Sequence, residues 1–509
     1  MVTTSREVER KYDLDADVTL PDLGHLPGVA RVAGPRLHDL AATYYDTDDL
    51  LLAAAGITLR RRTGGDDAGW HLKLPVAGAR QELHVPLGRT TDHPPVALCR
   101  IVDGVLRGAT LRPVADLHTE RHETSLLDDG DRVLALVCDD RVRARRLLDG
   151  EEDQDGSSWR ECEVELHEGG AKLSKAAETA LRAAGARRSS HGSKLGRALG
   201  VPVVVPKRPT VSARKRTTAR ELLQAQLARL AADVVRLDPL VRGDVPDAVH
   251  QMRITGRRLR GILGTFGKHF DGSVTEPVSD ELKLLIRELG RPRDLEVLRE
   301  RLGALLSSED PDLVHGDVRQ WIDGHLAASH RSAHREAAAA MRSARYAALV
   351  RTLESWAEAP PWSDETDRPA RKALRRAVAR EWRQLEKAVS AARSARGTDE
   401  HVVLLHEVRR AAKWTRYAAE ALVPVAGKDA SRLASAAASI QGVLGDHHDT
   451  AAAADQVVAL AEGASAAGLD TFTYGVLRAR LDATLAEEEA RYERAWRSAR
   501  KPRVTRWLG

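Results

Sequence analysis

The sequence is poor in cysteine, in aromatic residues and in long apolar runs, and each shortage excludes a class of protein. Its 509 residues include three cysteines, Cys99, Cys138 and Cys162, which have neither metal-ligand spacing nor the pattern of a disulfide framework. We therefore expect reduced thiols in a cytoplasmic protein. No stretch approaches the roughly 18 to 20 apolar residues that span a bilayer, and the polar N-terminus lacks the apolar run of a signal peptide. Aromatic residues make up 4% of the chain, so its cores depend on Leu, Val and Ala, which suits helical bundles.

Length and charge bound the organisation of the chain and the kind of partner that it can bind. A chain of 509 residues is too long for one hydrophobic core and predicts roughly two to four domains, for which 42% hydrophobic residues suffice. The formal net charge of +5 and the isoelectric point near 9.1 favour polyanions as partners without selecting nucleic acid.

Between residues 6 and 166, short alternating runs are separated by turns that contain Gly, Pro and Asp. This pattern predicts an antiparallel sheet that can close into a barrel. A helix is predicted near 95–107. The nine candidate strands lie near 5–13, 36–46, 57–63, 69–75, 80–87, 111–123, 132–139, 140–148 and 159–167.

The first and last of these strands carry charged residues at alternate positions, so that the charges of each strand share one face. Like charges this close are costly in a packed interior unless a cation lies between them. The pattern is compatible either with a solvated face of an edge strand, or with a seat for one or two Mg²⁺ or Mn²⁺ ions where the two strands adjoin in a closed barrel. The two sets are Glu7, Glu9 and Lys11, and Glu161, Glu163 and Glu165.

Further cations occupy alternate positions in the intervening strands. Because an ordinary barrel fills its interior with apolar side chains, these faces either contact solvent or line a polar tunnel for an anion. Lys194, downstream of the strands, would lie close to the mouth of the barrel. The sets are Arg60 and Arg62, His71 and Lys73, Arg80 and Glu82, Thr119 and Arg121, and Arg141, Arg143 and Arg145.

Seven motifs follow one another in the first 200 residues. They are Glu7-x-Glu9-x-Lys11, Thr43-Tyr44-Tyr45-Asp46-Thr47, Leu59-Arg60-Arg61-Arg62, Leu72-Lys73-Leu74-Pro75, Arg80-x-Glu82, Glu161-x-Glu163-x-Glu165 and Ser193-Lys194. In this order they resemble the CYTH domain of the triphosphate tunnel metalloenzymes. The resemblance covers residues 3–200 and implies an eight-stranded antiparallel tunnel that binds a triphosphate and a divalent metal, commonly for hydrolysis.

The resemblance also implies a role for individual side chains in metal-assisted attack of water on a terminal phosphoryl group. The implied metal ligands are Glu7, Glu9, Glu161, Glu163 and Glu165, with Mg²⁺ or Mn²⁺ as the metal. The implied phosphate-binding residues are Lys11, Arg60, Arg62, Lys73, Arg121 and Lys194, and Arg80 and Glu82 belong to the tunnel wall. No side chain stands out as a general base. The substrate is left open among inorganic triphosphate, polyphosphate, a nucleotide and thiamine triphosphate.

Residues 201–216 contain three prolines and end in a basic run, so we interpret them as a linker. Beyond them, Ala, Leu, Arg and Glu dominate. Pro and Gly cluster only near 239–246, 290–292, 360–369 and 424–427, which predicts an all-helical domain over 217–498.

The helical region contains an internal duplication. His250 is followed by cations at +3, +7 and +10, namely Arg253, Arg257 and Arg260. The same spacing recurs 156 residues later in His406, Arg409, Lys413 and Arg416. A second motif, Leu-Gly-x-x-x-Asp, occurs at Leu289–Asp294 and at Leu444–Asp449. The duplication predicts two halves, around 217–358 and 366–498.

The spacing of 3, 7 and 10 places each set on one stripe of a helix. Stacked like charges repel, so one stripe alone is compatible with a solvated outer face. Two stripes in matched halves can instead face one another across a basic groove that a long polyanion would neutralise.

These features resemble the CHAD domain, a pair of similar helical bundles with a basic central surface that is associated with inorganic polyphosphate. The resemblance implies that phosphate contacts His250, Arg253, Arg257, Arg260, His406, Arg409, Arg410, Lys413 and Arg416. The whole chain is thus predicted to be an α+β protein of two domains: an N-terminal antiparallel eight-stranded β tunnel and C-terminal all-α duplicated bundles.

The first functional hypothesis is a divalent-metal-dependent triphosphatase, in which the helical domain gathers polyphosphate and the tunnel hydrolyses a terminal phosphate. The alternative is a non-catalytic protein that binds polyphosphate and is targeted to polyphosphate granules. Nucleic acid is a weaker hypothesis, because aromatic side chains that stack on bases are sparse near the basic stripes, with Trp414 as the exception. No membrane partner is expected, and the sequence leaves the oligomeric state open.

Overall fold

A computed structural model describes residues 3–88, 93–148, 156–200, 217–363, 368–398 and 400–509. The chain divides into two compact units, one of Met1–Lys207 with Asp238–Val245 and the other of Arg208–Leu237 with Pro246–Gly509. The predicted domain boundaries stay predictions, and the predicted linker 201–216 lies outside the described residues. None of the helices in the described ranges is long and apolar enough to cross a membrane.

The first unit is an antiparallel barrel of eight strands. They follow the order β5-β4-β3-β2-β6-β7-β8-β1, and β1 also pairs with β5, which closes the barrel. A two-residue strand, β9 (Arg187–Arg188), pairs with β1 outside this ring. The eight strands are β1 (Thr3–Leu14), β2 (Arg31–Asp46), β3 (Thr58–Thr63), β4 (Gly69–Val76), β5 (Ala79–Pro86), β6 (Arg112–Leu127), β7 (Val133–Arg146) and β8 (Ser157–Leu166).

The closed eight-stranded barrel confirms the predicted fold class, but the count of nine candidate strands was wrong. The candidates 132–139 and 140–148 are parts of one strand, β7, whose register with β8 runs without interruption from Ala135 to Ala144. The pair Asp139-Asp140, which interrupts the apolar alternation in the sequence, lies in the middle of this strand and does not form a turn.

Among the described residues of this unit, four helices accompany the barrel, and they explain where its apolar core lies. They are α1 (Leu51–Ala54), α2 (Val96–Leu106), α3 (Ala171–Ala183) and α4 (Lys194–Ala198). Helix α3 packs Leu173, Ala177 and Leu181 against Cys162 and Val164 of β8 in one apolar cluster. Residues 162 and 164 alternate with the three glutamates of β8, so the apolar face of this strand points outward to a helix. The carboxylates point into the barrel.

Helix α4 packs at one end of the barrel interior. Its residue Leu195 shares an apolar cluster with Leu117 of β6 and with Val142 and Ala144 of β7. By strand alternation, Val142 and Ala144 lie on the same face as Asp140, and Leu117 on the same face as Arg121. The interior is therefore apolar where α4 packs and charged farther along the barrel.

The second unit consists of helices. In chain order these are α5 (Ala219–Arg242), α6 (Ala248–Thr265), α7 (Gly272–Glu288), α8 (Gly290–Ser308), α9 (Val318–Ala340), α10 (Ala344–Glu358), α11 (Ala370–Ser394), α12 (Glu400–Ala426), α13 (Lys428–Ala466), α14 (Phe472–Ala499) and the short α15 (Pro502–Thr505). The end of α5, from Asp238 onward, is grouped with the first unit. The all-helical architecture confirms the fold class predicted for the C-terminal part.

Helices α5 and α11 begin side by side. The amide of Ala219 donates to the carbonyl of Arg368 at 2.9 Å, and the amide of Ala370 donates to the carbonyl of Thr217 at the same distance. This reciprocal pair of hydrogen bonds joins matching points of two helices, as expected of duplicated halves.

The two halves differ where the Leu-Gly-x-x-x-Asp motif occurs. In the first half α7 ends at Glu288 and α8 begins at Gly290, whereas the second copy lies within the continuous helix α13. Pro292 lacks the amide proton that would continue the hydrogen bonding of α7, and the second copy has no proline at this point.

Replacement of Leu181 by alanine tests the apolar core between α3 and the outer face of the barrel. Leu181 of α3 is 0% exposed, so we expect Leu181→Ala to lower the free energy of unfolding of the first unit by about 2–5 kcal/mol. Denaturant unfolding would measure the loss. Leu37→Ala, at a leucine of β2 that is 67% exposed, is the matched control and should have little effect. Equal effects of the two substitutions would contradict the described packing.

Candidate functional site

The barrel interior contains a cavity of about 350 Å³ lined mainly by charged side chains. The volume is in the range of small-ligand sites. Twelve of the thirteen residues predicted for the tunnel line this cavity, and Glu161 does not. The twelve are Glu7, Glu9, Lys11, Arg60, Arg62, Lys73, Arg80, Glu82, Arg121, Glu163, Glu165 and Lys194.

Strands β1 and β8 are neighbours, as a closed barrel requires. Their register places Glu9 opposite Glu165 and Lys11 opposite Glu163. Lys11 forms ion pairs with Glu163 and with Glu9, the latter at 3.1 Å. Burial raises the pKa of Glu165, and the nearby charges of Glu163 and Glu9 raise it further. Two carboxylates opposite each other on paired strands are destabilising unless a cation separates them.

Lys194 neutralises a buried acidic triad. Its Nζ lies 2.8 Å from Asp140, 2.8 Å from Glu161 and 2.7 Å from Glu163, and carboxylate oxygens of these three residues lie within 4.8 Å of one another. Burial opposes the charge of Lys194, but the three carboxylates outweigh it and raise the pKa of the ammonium well above its usual value. The ammonium group of Lys194 thus occupies the position that a metal ion would take among these oxygens.

Arg121 holds the triad from the other side. Its guanidinium donates two hydrogen bonds to Asp140, at 2.8 and 2.7 Å, and one to Glu163 at 2.8 Å. Although burial alone would raise the pKa of Glu163, the charges of Lys11, Lys194 and Arg121 hold it well below its usual range. Glu163 therefore stays ionised inside the barrel.

Asp140 is a site residue that the sequence reasoning missed. It is fully buried and contacts both Arg121 and Lys194. Arg141, Arg143 and Arg145 are exposed on the outer face of β7, so these three do not line the cavity. The signal was available in the sequence, because three arginines at alternate positions on an outer face place Asp140 on the inner face.

A second group of charges surrounds Glu7. Lys73 Nζ lies 2.5 Å from Glu7 and 3.9 Å from Glu82, and the ring of His71 contacts Glu82 at 2.8 Å. Burial raises the pKa of Glu7 to about 8, and its hydrogen bond with Glu82 adds to the rise. The pKa of Glu82 is lowered: burial opposes the shift, but the charge of Lys73 and the hydrogen bond from His71 outweigh it.

Arg60 and Arg62 bring positive charge into the cavity. Arg60 donates a hydrogen bond to the Tyr44 hydroxyl at 3.2 Å, and Arg62 forms an ion pair with Asp67. Burial lowers the pKa of Arg62, and the neighbouring charge of Arg60 lowers it further. The Nε atoms of both arginines are buried without a hydrogen-bond partner. An anionic ligand would offer acceptors to this pair.

In the second unit, the two predicted basic stripes lie on α6 and α12 and come together. A Cβ atom at Gly261 of α6 would lie 3.2 Å from the Cβ of Tyr417 of α12, so the helices approach closely. Arg253, Arg257, Arg260, Arg409 and Lys413 act on one another electrostatically, and we call these five residues the basic cluster.

The basic cluster is held at an electrostatic cost. Burial lowers the pKa of Lys413 to about 8, and the charges of Arg257, Arg409 and Arg260 add to this effect. Burial also lowers the pKa of Arg253 to about 10, with Arg257 as the next contribution. Lowered pKa values of clustered cations are typical of a site that binds an anion.

The other predicted residues of the second unit have different surroundings. Burial lowers the pKa of His250 and of His406, and the latter ring lies 5.3 Å from that of His448. Arg410 forms an ion pair with Glu407, and Arg416 one with Glu420 at 2.7 Å. Trp414 lies beneath cations: the Arg260 guanidinium is 5.9 Å from its ring and Lys413 Nζ is 5.8 Å away.

The fold and the two charged sites define a protein with a tunnel of the metalloenzyme type and a duplicated helical domain. Family comparison agrees: the CYTH domain model matches residues 5–199 and the CHAD domain model matches residues 225–458. The chain is 35% identical over 499 residues to MT2285, an uncharacterized protein of Mycobacterium tuberculosis. The aligned region covers 94% of this chain and 93% of the relative. The chain therefore belongs to the family of proteins in which a CYTH domain is followed by a CHAD domain.

Two solved structures are similar to part of the chain. PptA from Streptomyces chartreusis matches with a TM-score of 0.46 and 24% identity, covering 55% of this chain and 100% of that one. The CHAD domain from the plant Ricinus communis matches with a TM-score of 0.46 and 24% identity, covering 59% of this chain and 98% of that one. CYTH domains belong to the tunnel metalloenzymes, a superfamily that includes triphosphatases and cyclases.

Replacement of Lys413 tests the cost of the basic cluster. Because its folded pKa is depressed to about 8, the charged lysine destabilises the fold at pH 7, and this penalty disappears as pH rises above its ordinary value of 10.5. We expect Lys413→Met to raise the free energy of unfolding by roughly 1 kcal/mol at pH 7. Denaturant unfolding at pH 7 and pH 10 should show the gain shrinking.

Lys387→Met is the matched control for this substitution, since Lys387 is exposed on α11. It should leave the stability nearly unchanged at both pH values. A loss of stability in Lys413→Met at pH 7 would contradict the electrostatic account.

Proposed function

We propose that the protein is a divalent-metal-dependent triphosphatase whose tunnel hydrolyses the terminal phosphate of inorganic triphosphate or of polyphosphate. The observation that carries the proposal is the cavity inside the barrel, where carboxylates of β1 and β8 share one space with cations of β3, β4, β6 and α4. Carboxylate oxygens suit Mg²⁺ or Mn²⁺, and clustered arginines and lysines suit phosphate oxygens.

In this proposal the cations bind and orient the triphosphate. Arg60 and Arg62 carry buried Nε groups without partners, which supports direct donation to phosphate oxygens. Lys11, Lys73, Arg121 and Lys194 are already held by carboxylates. Fixed cations stabilise the negative charge that spreads over the phosphoryl oxygens during transfer, since they need little reorganisation. The apolar packing of Leu195 makes one end of the interior apolar.

The residues present fit a divalent metal. Glu9 and Glu165 lie opposite each other on paired strands. Lys73 pairs with Glu7 and Lys11 with Glu9, but burial still raises the pKa of Glu7 and of Glu165, so the cations compensate the charge of these two carboxylates only in part. Glu7, Glu9 and Glu165 would hold the ion together with Glu163. Glu161, which is bound to Lys194, is the least suited of the five predicted ligands. A divalent cation bound there supplies Lewis-acid stabilisation of the phosphoryl oxygens.

The basic cluster of the second unit is proposed to bind polyphosphate. Burial lowers the pKa of Arg253, Arg409 and Lys413, and the cations around them lower it further, which supports capture of a polyanion. Both units then act on one class of compound.

One observation favours the alternative, a non-catalytic polyphosphate-binding protein targeted to polyphosphate granules. Asp140, Glu161 and Glu163 are already neutralised by Lys194, and Arg121 adds to this network. A closed network of ion pairs of this kind stabilises a barrel without any metal.

Phosphate release from inorganic triphosphate with Mg²⁺ or Mn²⁺ distinguishes the two functions. We expect the unaltered protein to release phosphate, and the double variant Glu7→Gln/Glu9→Gln to lose roughly a hundredfold or more of the rate, because it loses two charged metal ligands. Polyphosphate binding by the double variant should be retained.

Glu168→Gln is the matched control, since Glu168 is exposed just after β8. It should keep the full rate. If the unaltered protein binds polyphosphate but releases no phosphate with either metal, the triphosphatase proposal fails and the binding protein takes its place.

Polyphosphate binding at increasing salt tests the basic cluster. We expect Arg257→Gln to lower the affinity roughly tenfold. The affinity should also depend less steeply on salt, because the variant has one cation fewer to release counterions from the polyphosphate. Arg331→Gln, at an exposed arginine of α9, should leave both quantities unchanged. An Arg257→Gln variant that binds like the unaltered protein would refute this assignment.

A further inference from the structure

The Leu-Gly-x-x-x-Asp motif of the first half lies directly against an arginine of the basic cluster. The guanidinium of Arg253 donates to the carbonyl of Ile286 at 3.3 Å and lies 3.8 Å from the Asp294 carboxylate. Its side chain is 12% exposed. Arg253 therefore reaches the cluster from a fixed position between α6 and the junction of α7 and α8.

Gly290 is the third contact of this arginine. A Cβ atom added at Gly290 would lie 2.7 Å from Nη1 of Arg253, closer than a methyl group and an amino group can approach. Gly290 is the first residue of α8, and its backbone is in a range that alanine adopts freely. A methyl group at this position would therefore displace the far end of the Arg253 side chain, and nothing in the backbone excludes it.

The second half has the same motif with a looser contact. A Cβ at Gly445 would lie 3.6 Å from Nε and Nη2 of Arg409, an ordinary van der Waals distance. Alanine fits at Gly445 without moving Arg409. The difference coincides with the break between α7 and α8, where the first half departs from the continuous helix α13.

We propose that Gly290 is a positioning residue for polyphosphate binding: its bare Cα leaves the space in which the Arg253 guanidinium is held, and Gly445 has no such role for Arg409. This inference rests on the proposed binding of polyphosphate by the basic cluster. The two halves of the duplicated site are then unequal, because only the first half needs a glycine beside its arginine.

The test compares Gly290→Ala with two alanine controls in the full-length protein. We expect Gly290→Ala to lower the affinity for polyphosphate roughly tenfold, because the displaced guanidinium loses a charge-assisted contact with phosphate. Gly445→Ala should bind as the unaltered protein does. Gly303→Ala, in the same helix as Gly290 but with no atom within 4 Å of an added Cβ, should do the same.

A double-mutant cycle with Arg253→Ala separates positioning from a general structural effect. Without the guanidinium, the nearest contact of a Cβ at residue 290 is an oxygen of Asp294 at 3.9 Å, so the methyl group fits there. In that background Gly290→Ala should change the affinity less than about twofold. The single variant Gly290→Ala should also flatten the salt dependence of binding as Arg253→Ala does.

If the unaltered protein binds polyphosphate and Gly290→Ala binds equally well, this inference fails while the proposed function stands. An effect of Gly290→Ala that is as large in the Arg253→Ala background also overturns it. Absence of polyphosphate binding by the unaltered protein overturns the proposed function, and this inference with it.

Discussion

Charge buried inside a closed barrel is the constraint on which the first unit depends. Carboxylates of β1, β7 and β8 point inward, and they are stable there because Lys11, Arg121 and Lys194 lie within ion-pair distance of them. An interior filled with charge cannot supply a hydrophobic core. One apolar core therefore lies on the outside of the strands, where α3 covers Cys162 and Val164, and another fills only the end of the interior where α4 packs. The same alternation that directs the glutamates inward directs these apolar residues outward.

The second unit differs from the barrel in the sign of its clustered charges. Its basic cluster gathers charges of one sign, and the lowered pKa values of Arg253 and Lys413 record the repulsion and the burial that the fold sustains. No comparable network of carboxylates balances the cluster among the residues described in this unit; Asp294 reaches Arg253 only at 3.8 Å. A site of this kind gains stability when a polyanion binds, because the ligand supplies the missing charge. The barrel, by contrast, carries charges of both signs in one cavity.

The duplication brings the two basic helices of the cluster together, but the surroundings of the arginines differ between the two halves. Reciprocal hydrogen bonds at the start of α5 and α11 relate the halves, and the close approach at Gly261 brings α6 against α12. Pro292 interrupts only the first half, and Arg253 lies closer to the backbone of its motif than Arg409 does. Matched halves can therefore contribute unequally to one ligand.

Much of this protein was determined by local sequence pattern. Alternation along a strand depends only on neighbouring residues, so the shared face of Glu7 and Glu9 and that of Arg60 and Arg62 could be predicted, and the helical spacing of His250 and Arg253 likewise. The eight-stranded tunnel was predicted from the resemblance to the CYTH domain, since alternation alone gave nine strands and left a solvated face open. The continuity of β7, the inward position of Asp140, the capture of Glu161 by Lys194 and the contact of Gly290 with Arg253 were decided by the tertiary structure. Each of these depends on which distant segment lies opposite, because ion pairing and close packing act between neighbours in space and leave no periodic trace along the chain.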